Sequence, residues 1–381
     1  MPMLFLGIIY LAFISLGLPD SMLGAAWPAM HVAFQAPVGQ AGSISLVIAA
    51  GTVASSLLSS RVVKRYGTGK VVFASVLLTA IALLGISFAP GIAWLYVLAI
   101  PLGLGAGAVD AGLNGYVARH YAARHMNWLH CFWGVGATLG PIIMGFFLSG
   151  GNYWQGGYRT VAGLQFLLVI LLFFSLPLWR ENGSAEAVRA ASETKTNIFR
   201  LPGVKWTLVA FFLYCSLEIT AGLWCASFLV TMRGLSPANA AQWTSLFYGG
   251  ITFGRLVSGF LTLRLKSKQL IRLGLCCILL GCGVLLLPGT EAALGMGLIG
   301  LGCAPIYPAL LHETPARFGE ENSQRLMGIQ MASAYVGSTL MPALMGGLTG
   351  WASLAIYPWF LLGCGLLMLL STERVNRILA K

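Results

Sequence analysis

The chain has 381 residues, 57% of them hydrophobic and 9% charged, with a mean hydropathy of +0.82, too little polar surface for a water-soluble core of this size. Large soluble domains are excluded too, because twelve spanning helices of roughly 20 apolar residues each leave room only for short loops and tails. The net charge of +12 would suit a nucleic-acid binder if the protein were soluble, but the placement of the basic residues gives that charge a different meaning.

In chain order, hydrophobic runs cover Leu4 to His31, Gln40 to Ser60, Val71 to Ala89, Ile92 to Val117, Asn127 to Ser149 and Tyr158 to Trp179. A polar stretch follows, and within it Ser184 to Thr194 could form a short surface helix. Six more runs come next: Trp206 to Thr231, Gln242 to Leu263, Leu270 to Pro288, Ala293 to Leu311, Leu326 to Thr349 and Trp351 to Leu370. The expected fold class is an all-α integral membrane protein of twelve transmembrane helices in two six-helix, pseudo-symmetric bundles. Its divisions are an N-terminal bundle over residues 1–179, a cytoplasmic linker over 180–205, a C-terminal bundle over 206–371 and a cytoplasmic tail over 372–381. The first run starts almost at Met1, has no basic region before it and is long for a signal peptide, so it is expected to stay as a spanning segment.

If the N-terminus is cytoplasmic, the even-numbered loops and the tail hold 20 of the 23 Lys and Arg residues, among them Arg61, Lys64, Arg65, Lys70, Arg264, Lys266 and Lys268. Arg159 and Arg233 fall on the other side, and Arg255 sits inside the eighth run. The positive-inside rule then expects an integral plasma or inner membrane protein with both termini in the cytoplasm. The basic charge reports orientation and an attraction to membrane lipid, not nucleic acid. All eight cysteines lie in hydrophobic runs with no disulfide or zinc spacing. No Walker loop occurs, and His312-Glu313 lacks the second histidine of a zinc motif, so no metal, no cofactor and no enzymatic activity are expected.

The two halves repeat. An offset of 199 matches Gly51 to Gly250, Leu57 to Leu256, Ser59 to Ser258 and Arg65 to Arg264; an offset of 201 matches Gly136-Ala137-Thr138-Leu139-Gly140-Pro141 to Gly337-Ser338-Thr339-Leu340-Met341-Pro342. Parallel repeats of this kind place a small-molecule site near the midplane between them.

Acids at membrane depth are costly and mark function by default. Asp20 follows Pro19, whose missing N–H frees a carbonyl one turn back. Asp110 and Asn114 are four apart on one helix face, suited to hydrogen-bonding hydroxyls while the acid loads a proton when buried and releases it in more polar surroundings. Glu218 is the deep acid of the second half. These three acids are the proton-coupling candidates. The substrate-binding candidates are Asn114, His130, Trp133, Trp224, Tyr248, Tyr307, Gln330 and Tyr335; His130 and Trp133 share a face and offer a polar ring beside an aromatic platform, and the histidine has proton relay as an alternative role.

The two sixes and the basic loop after the second run, copied after the eighth, resemble the major facilitator superfamily over the whole chain. Within it the chain is similar to the fucose-permease-like branch of sugar:cation symporters. Asp110-Ala111-Gly112-Leu113-Asn114-Gly115-Tyr116-Val117 resembles that branch's acid-x-x-x-Asn-Pro-Tyr fourth helix, Phe212-Leu213-Tyr214 with Glu218 and Gly222 its seventh, and Ala304-Pro305-Ile306-Tyr307-Pro308 with Thr314-Pro315 its tenth. The resemblance implies the major facilitator fold, proton coupling at Asp110 and a sugar site beside Asn114. The expected function is alternating-access, proton-coupled symport of a small neutral polar solute, a sugar being favoured. Sodium coupling, drug:proton antiport and, last, a non-transporting nutrient sensor are the alternatives.

Overall fold

The computed structural model describes residues 3–121, 123–151, 153–179 and 198–380. Among these residues the regular structure is entirely helical. The long helices are α1 (Met3–Ala33), α2 (Gln40–Tyr66), α3 (Thr68–Ser87), α4 (Ile92–His120), α5 (Ala123–Ser149) and α6 (Trp154–Ser175), then α7 (Val204–Arg233), α8 (Pro237–Leu261), α9 (Ser267–Leu285) and α10 (Leu294–His312). A five-residue α11 (Thr314–Phe318) turns the chain into α12 (Glu320–Ala352), and α13 (Tyr357–Ile378) ends it.

Ten of these helices are long and apolar enough to cross a membrane. The two other long ones, α8 and α12, have the length but carry more polar residues, among them Gln242, Ser245 and Arg255 in α8 and Glu320, Glu321 and Asn322 in α12. That accounts for all twelve expected runs. Several helices outlast their hydrophobic run: α2 continues through Arg61, Lys64 and Arg65, and α13 extends to Ile378, so most of the segment read as a tail is helical. Arg and Lys are good helix formers that can reach toward water from a helix end, so charge ends the apolar run without ending the helix. The possible surface helix at 184–194 lies outside the described residues.

The helices form two bundles with the same packing scheme. In the first, α1 packs on α5 and α6, α2 on α4, and α3 on α4 and α6; in the second, α7 packs on α12 and α13, α8 on α10, and α9 on α10 and α13. Glycines make the repeated crossings tight. A methyl group added to Gly136 would lie 2.1 Å from the Ile14 carbonyl oxygen, and one added to Gly337 would lie 2.3 Å from that of Phe212. Gly51 and Gly250 do the same for α2 against α4 and α8 against α10, with carbon or nitrogen backbone atoms 3.2 and 3.0 Å away and, at Gly250, the Gly297 carbonyl oxygen at 2.7 Å. The sequence repeat is therefore a repeat of helix crossings. At Gly67, φ is +88°, the left-handed region in which glycine reverses the chain between α2 and α3 without strain.

Between the bundles, α1 meets α7, α2 meets α12, and α5 meets α8. The closest approaches lie away from the basic loops: Gly24 on Gly222, Gly39 on Gly346, Gly42 on Pro342 and Gly145 on Ala238. Burial follows the same division. The main apolar core joins both bundles on that side, through Met22, Trp27, Trp224 and Tyr357, and extends in the second bundle to Phe211, Ile271 and Leu310. Toward the basic loops it splits into one cluster around Phe5, Ile9 and Tyr116 and another around Val204 and Phe318. The bundles thus share an apolar core at the end away from the basic loops and keep separate clusters toward the end that carries them.

Candidate functional site

The site is built on the crossing of α1 with α5. Gly17 lies so close to α5 that an added methyl would sit 2.1 Å from the Trp133 carbonyl oxygen. Asp20, one turn further along α1, then reaches the indole of the same residue: Trp133 Nε1–H donates to Asp20 Oδ2 at 2.8 Å. Proline does what the sequence implied. With no N–H at Pro19, the Ser15 carbonyl is free, and it accepts a hydrogen bond from Gln165 Nε2 of α6 at 2.8 Å. Gln165 Oε1 in turn accepts from Thr79 Oγ1 at 2.7 Å. This buried network braces α1 where Pro19 leaves a carbonyl unpaired, and neither Gln165 nor Thr79 was among the candidates; the proline was the signal that a partner had to exist.

A cavity of about 310 Å3 surrounds this point, at the low end of the usual ligand-site range. Asp20, Trp133, Glu218, Tyr248 and Tyr335 all line it, together with Thr52, Gln165, Ser338 and Thr339. Acids from both bundles therefore face one space. Glu218 Oε1 lies 3.7 Å from Arg255 Nη2, and the Arg255 guanidinium carbon stands 5.3 Å from the centroid of the Trp133 ring. Asp20, Trp133, Arg255 and Glu218 thus form a chain across the midplane from α1 through α5 and α8 to α7. Sequence reading had counted Arg255 only as a charge inside the eighth helix, although an intramembrane cation is by itself a sign of a partner.

The other candidates lie elsewhere. Asp110 and Asn114 sit nearer the basic end and are absent from the cavity wall; Asn114 Nδ2–H donates to Asp110 Oδ1 at 2.8 Å and to the Asp110 carbonyl at 3.0 Å, so the amide serves the acid of its own helix. His130, one turn from Trp133, is exposed and meets Phe13 edge to face at 5.8 Å.

Three further candidates are not brought to the cavity either. Trp224 is fully buried where the bundles meet, donating to the Pro342 carbonyl at 3.1 Å, because its helix is apolar all round and this face meets α12. Tyr307 packs its ring against Phe211 and Tyr214 at 5.4 and 5.7 Å. Gln330 is fully buried and accepts from Thr314 Oγ1 at 3.1 Å, tying α12 to α11. Among the described residues, no group of His, Cys, Asp and Glu is placed to hold a metal ion.

Comparison with known proteins identifies the family and the fold. The chain is 22% identical over 282 residues to "Bypass of stop codon protein 6" of Saccharomyces cerevisiae, with 68% of this chain aligned and 56% of the yeast protein's length spanned. It is 23% identical over 348 residues to the glucose/mannose transporter GlcP of Bacillus subtilis, covering 88% of this chain and 86% of that one. Among solved structures, a D-xylose-proton symporter superposes with a TM-score of 0.76 at 14% identity, covering 98% of this chain and 97% of that one, a likeness of fold. The family model described as Major Facilitator Superfamily matches residues 9–311. With twelve long helices in two like bundles around a midplane cavity, this chain is a transporter that belongs to the Major Facilitator Superfamily.

Proposed function

We propose that the protein is a proton-coupled symporter for a small polar, sugar-like solute, working by alternating access. The observation that carries this reading is that Asp20 from one bundle and Glu218 from the other line the same cavity. Rocking of the bundles, taken as residues 1–179 and 206–371, changes the surroundings of both acids and of the solute together, and that is the physical basis of coupling. A charged carboxylate is costly at this depth, so each acid has reason to give or take a proton as access alternates. The hydroxyls of Tyr248 and Tyr335 and the Trp133 ring supply the polar and flat apolar contacts a sugar needs. The likeness to a glucose/mannose transporter over most of both chains supports the solute class.

Orientation follows from charge. The basic loops belong in the cytoplasm under the positive-inside rule, and both termini with them. The conformer described is then closed outside and open inward. The test is uptake of labelled hexoses and hexose derivatives into proteoliposomes under an imposed proton gradient, with a sodium gradient as the parallel arm. Accumulation that a proton gradient drives and an uncoupler abolishes is expected. Accumulation driven by sodium alone would reassign the coupling ion, outward movement of solute against entering protons would make the protein an antiporter, and no movement of any probe would remove the transport reading for this solute class.

A further inference from the structure

Arg255 is held differently from the other arginines that have protein partners. Arg272 makes two hydrogen bonds to Glu373, at 2.6 and 2.7 Å. Arg233 donates to the Leu285 carbonyl at 2.7 Å, and Arg317 to Asn376 at 2.9 Å. Arg255, six residues before the end of α8, has its nearest carboxylate oxygen at 3.7 Å, beyond hydrogen-bond reach. None of its five N–H donors has a hydrogen-bond acceptor among the described residues. Its side chain is only 18% exposed, and its guanidinium carbon stands over the Trp133 ring.

A half-buried guanidinium that makes no hydrogen bond to protein is held by water or waits for a ligand. An arginine whose role was only to neutralise Glu218 would be expected to close the last ångström and form the bidentate pair that Arg272 forms with Glu373. The contact with the Trp133 ring uses none of the N–H donors of the guanidinium. Those donors are a planar fork that matches a carboxylate two oxygens at a time. They stand behind two residues of the cavity wall, Glu218 and Trp133.

We propose that Arg255 recognises a carboxylate on the solute and that the solute class is a sugar acid rather than a neutral sugar. This rests on the sugar-transport reading above and narrows it. The solute's carboxylate takes the fork that Glu218 leaves unfilled, and its hydroxyls meet Asp20 and the tyrosines. No covalent bond of the solute is made or broken: its carboxylate takes over Arg255 from Glu218, and Glu218, losing its counter-charge, takes up the coupled proton so that the site does not hold an unpaired carboxylate beside the anion.

The test uses the full-length protein in lipid nanodiscs and probes that differ only at one carbon: D-glucose against D-glucuronate and D-galactose against D-galacturonate, with acetate as a bare carboxylate. Thermal unfolding should shift upward by several degrees with a uronate and by less than a third of that with the matching hexose or with acetate. Arg255→Gln should weaken apparent uronate affinity at least tenfold and lower the hexose response by a smaller factor. Arg255→Lys keeps the charge without the fork and should fall between; it reads the same question if the glutamine variant folds poorly. A hexose response equal to or larger than the uronate response, or full uronate affinity in Arg255→Gln, overturns this proposal and leaves the sugar-transport reading standing. No response to any of the four sugars overturns both.

Discussion

The two halves of the molecule share a backbone plan and differ in what they hang on it. The crossing of Gly136 on Ile14 matches that of Gly337 on Phe212, and six residues beyond Ile14 and Phe212 stand Asp20 and Glu218. The two cavity acids are thus equivalent positions of the repeat. Their partners are not. Trp133, three residues before Gly136, hydrogen-bonds Asp20, whereas the matching residue of the second half is Ala334. Arg255 of α8 stands beside Glu218, and its match at the 199 offset is Ser56, whose hydroxyl donates to the Gly107 carbonyl. Packing has stayed symmetric because a helix crossing tolerates no added atom; the electrostatics have diverged because an asymmetric solute needs an asymmetric site.

If the crossings are equivalent, Gly136→Leu and Gly337→Leu should do equal and severe damage. Each side chain would have to displace backbone within its own bundle, beyond the usual cost of overpacking. Loss of most of the monodisperse protein in both variants, read by size-exclusion chromatography of a fluorescent fusion, is expected; normal yield of either one breaks the symmetry.

Asp110→Asn tests the side of the comparison where an acid has no counterpart, since the residue at the matching place of α10 is Tyr307. Gradient-driven accumulation should disappear while counterflow exchange continues, because the amide mimics the protonated acid and keeps its bond to Asn114. Loss of both activities would make Asp110 a structural or binding residue instead.

Glu218→Gln and Asp20→Asn separate the two partners. The first leaves Arg255 without a counter-charge in a partly buried place and should cost about 1–3 kcal/mol, below the full value for a buried pair because the pair is loose and open to the cavity. The second leaves an amide oxygen that still accepts from Trp133 and should cost less than about 1 kcal/mol. Equal melting temperatures for the two would show that the Arg255 pairing does no structural work.

The smallest effect concerns Trp133. Removal of the ring in Trp133→Ala should weaken solute binding more than Trp133→Phe, which keeps a flat face for the guanidinium and solute and loses only the N–H to Asp20. Calorimetry should rank wild type, then Phe, then Ala; equal affinities would assign Trp133 to packing alone.

Much of this protein was legible in one dimension. Hydropathy supplied twelve spans, the distribution of lysine and arginine an orientation to test, two offsets the repeat, and three acids at membrane depth the places to look. Pro19 even announced a free carbonyl, which Gln165 satisfies. Helix ends were less legible, because arginine and lysine end an apolar run without ending a helix. What the sequence could not decide was which side of each helix meets the cavity. In a membrane both the packed and the lipid-facing sides are apolar, so the periodic contrast that orients a helix in water is missing. Trp224, Tyr307 and Gln330 were plausible for that reason; Trp224 and Gln330 are buried between helices, and Tyr307 is half-buried against Phe211 and Tyr214. Only the tertiary structure brought Arg255 of α8 onto Trp133 of α5 and within 3.7 Å of Glu218 of α7, because that meeting depends on how two bundles dock and not on any spacing within the chain.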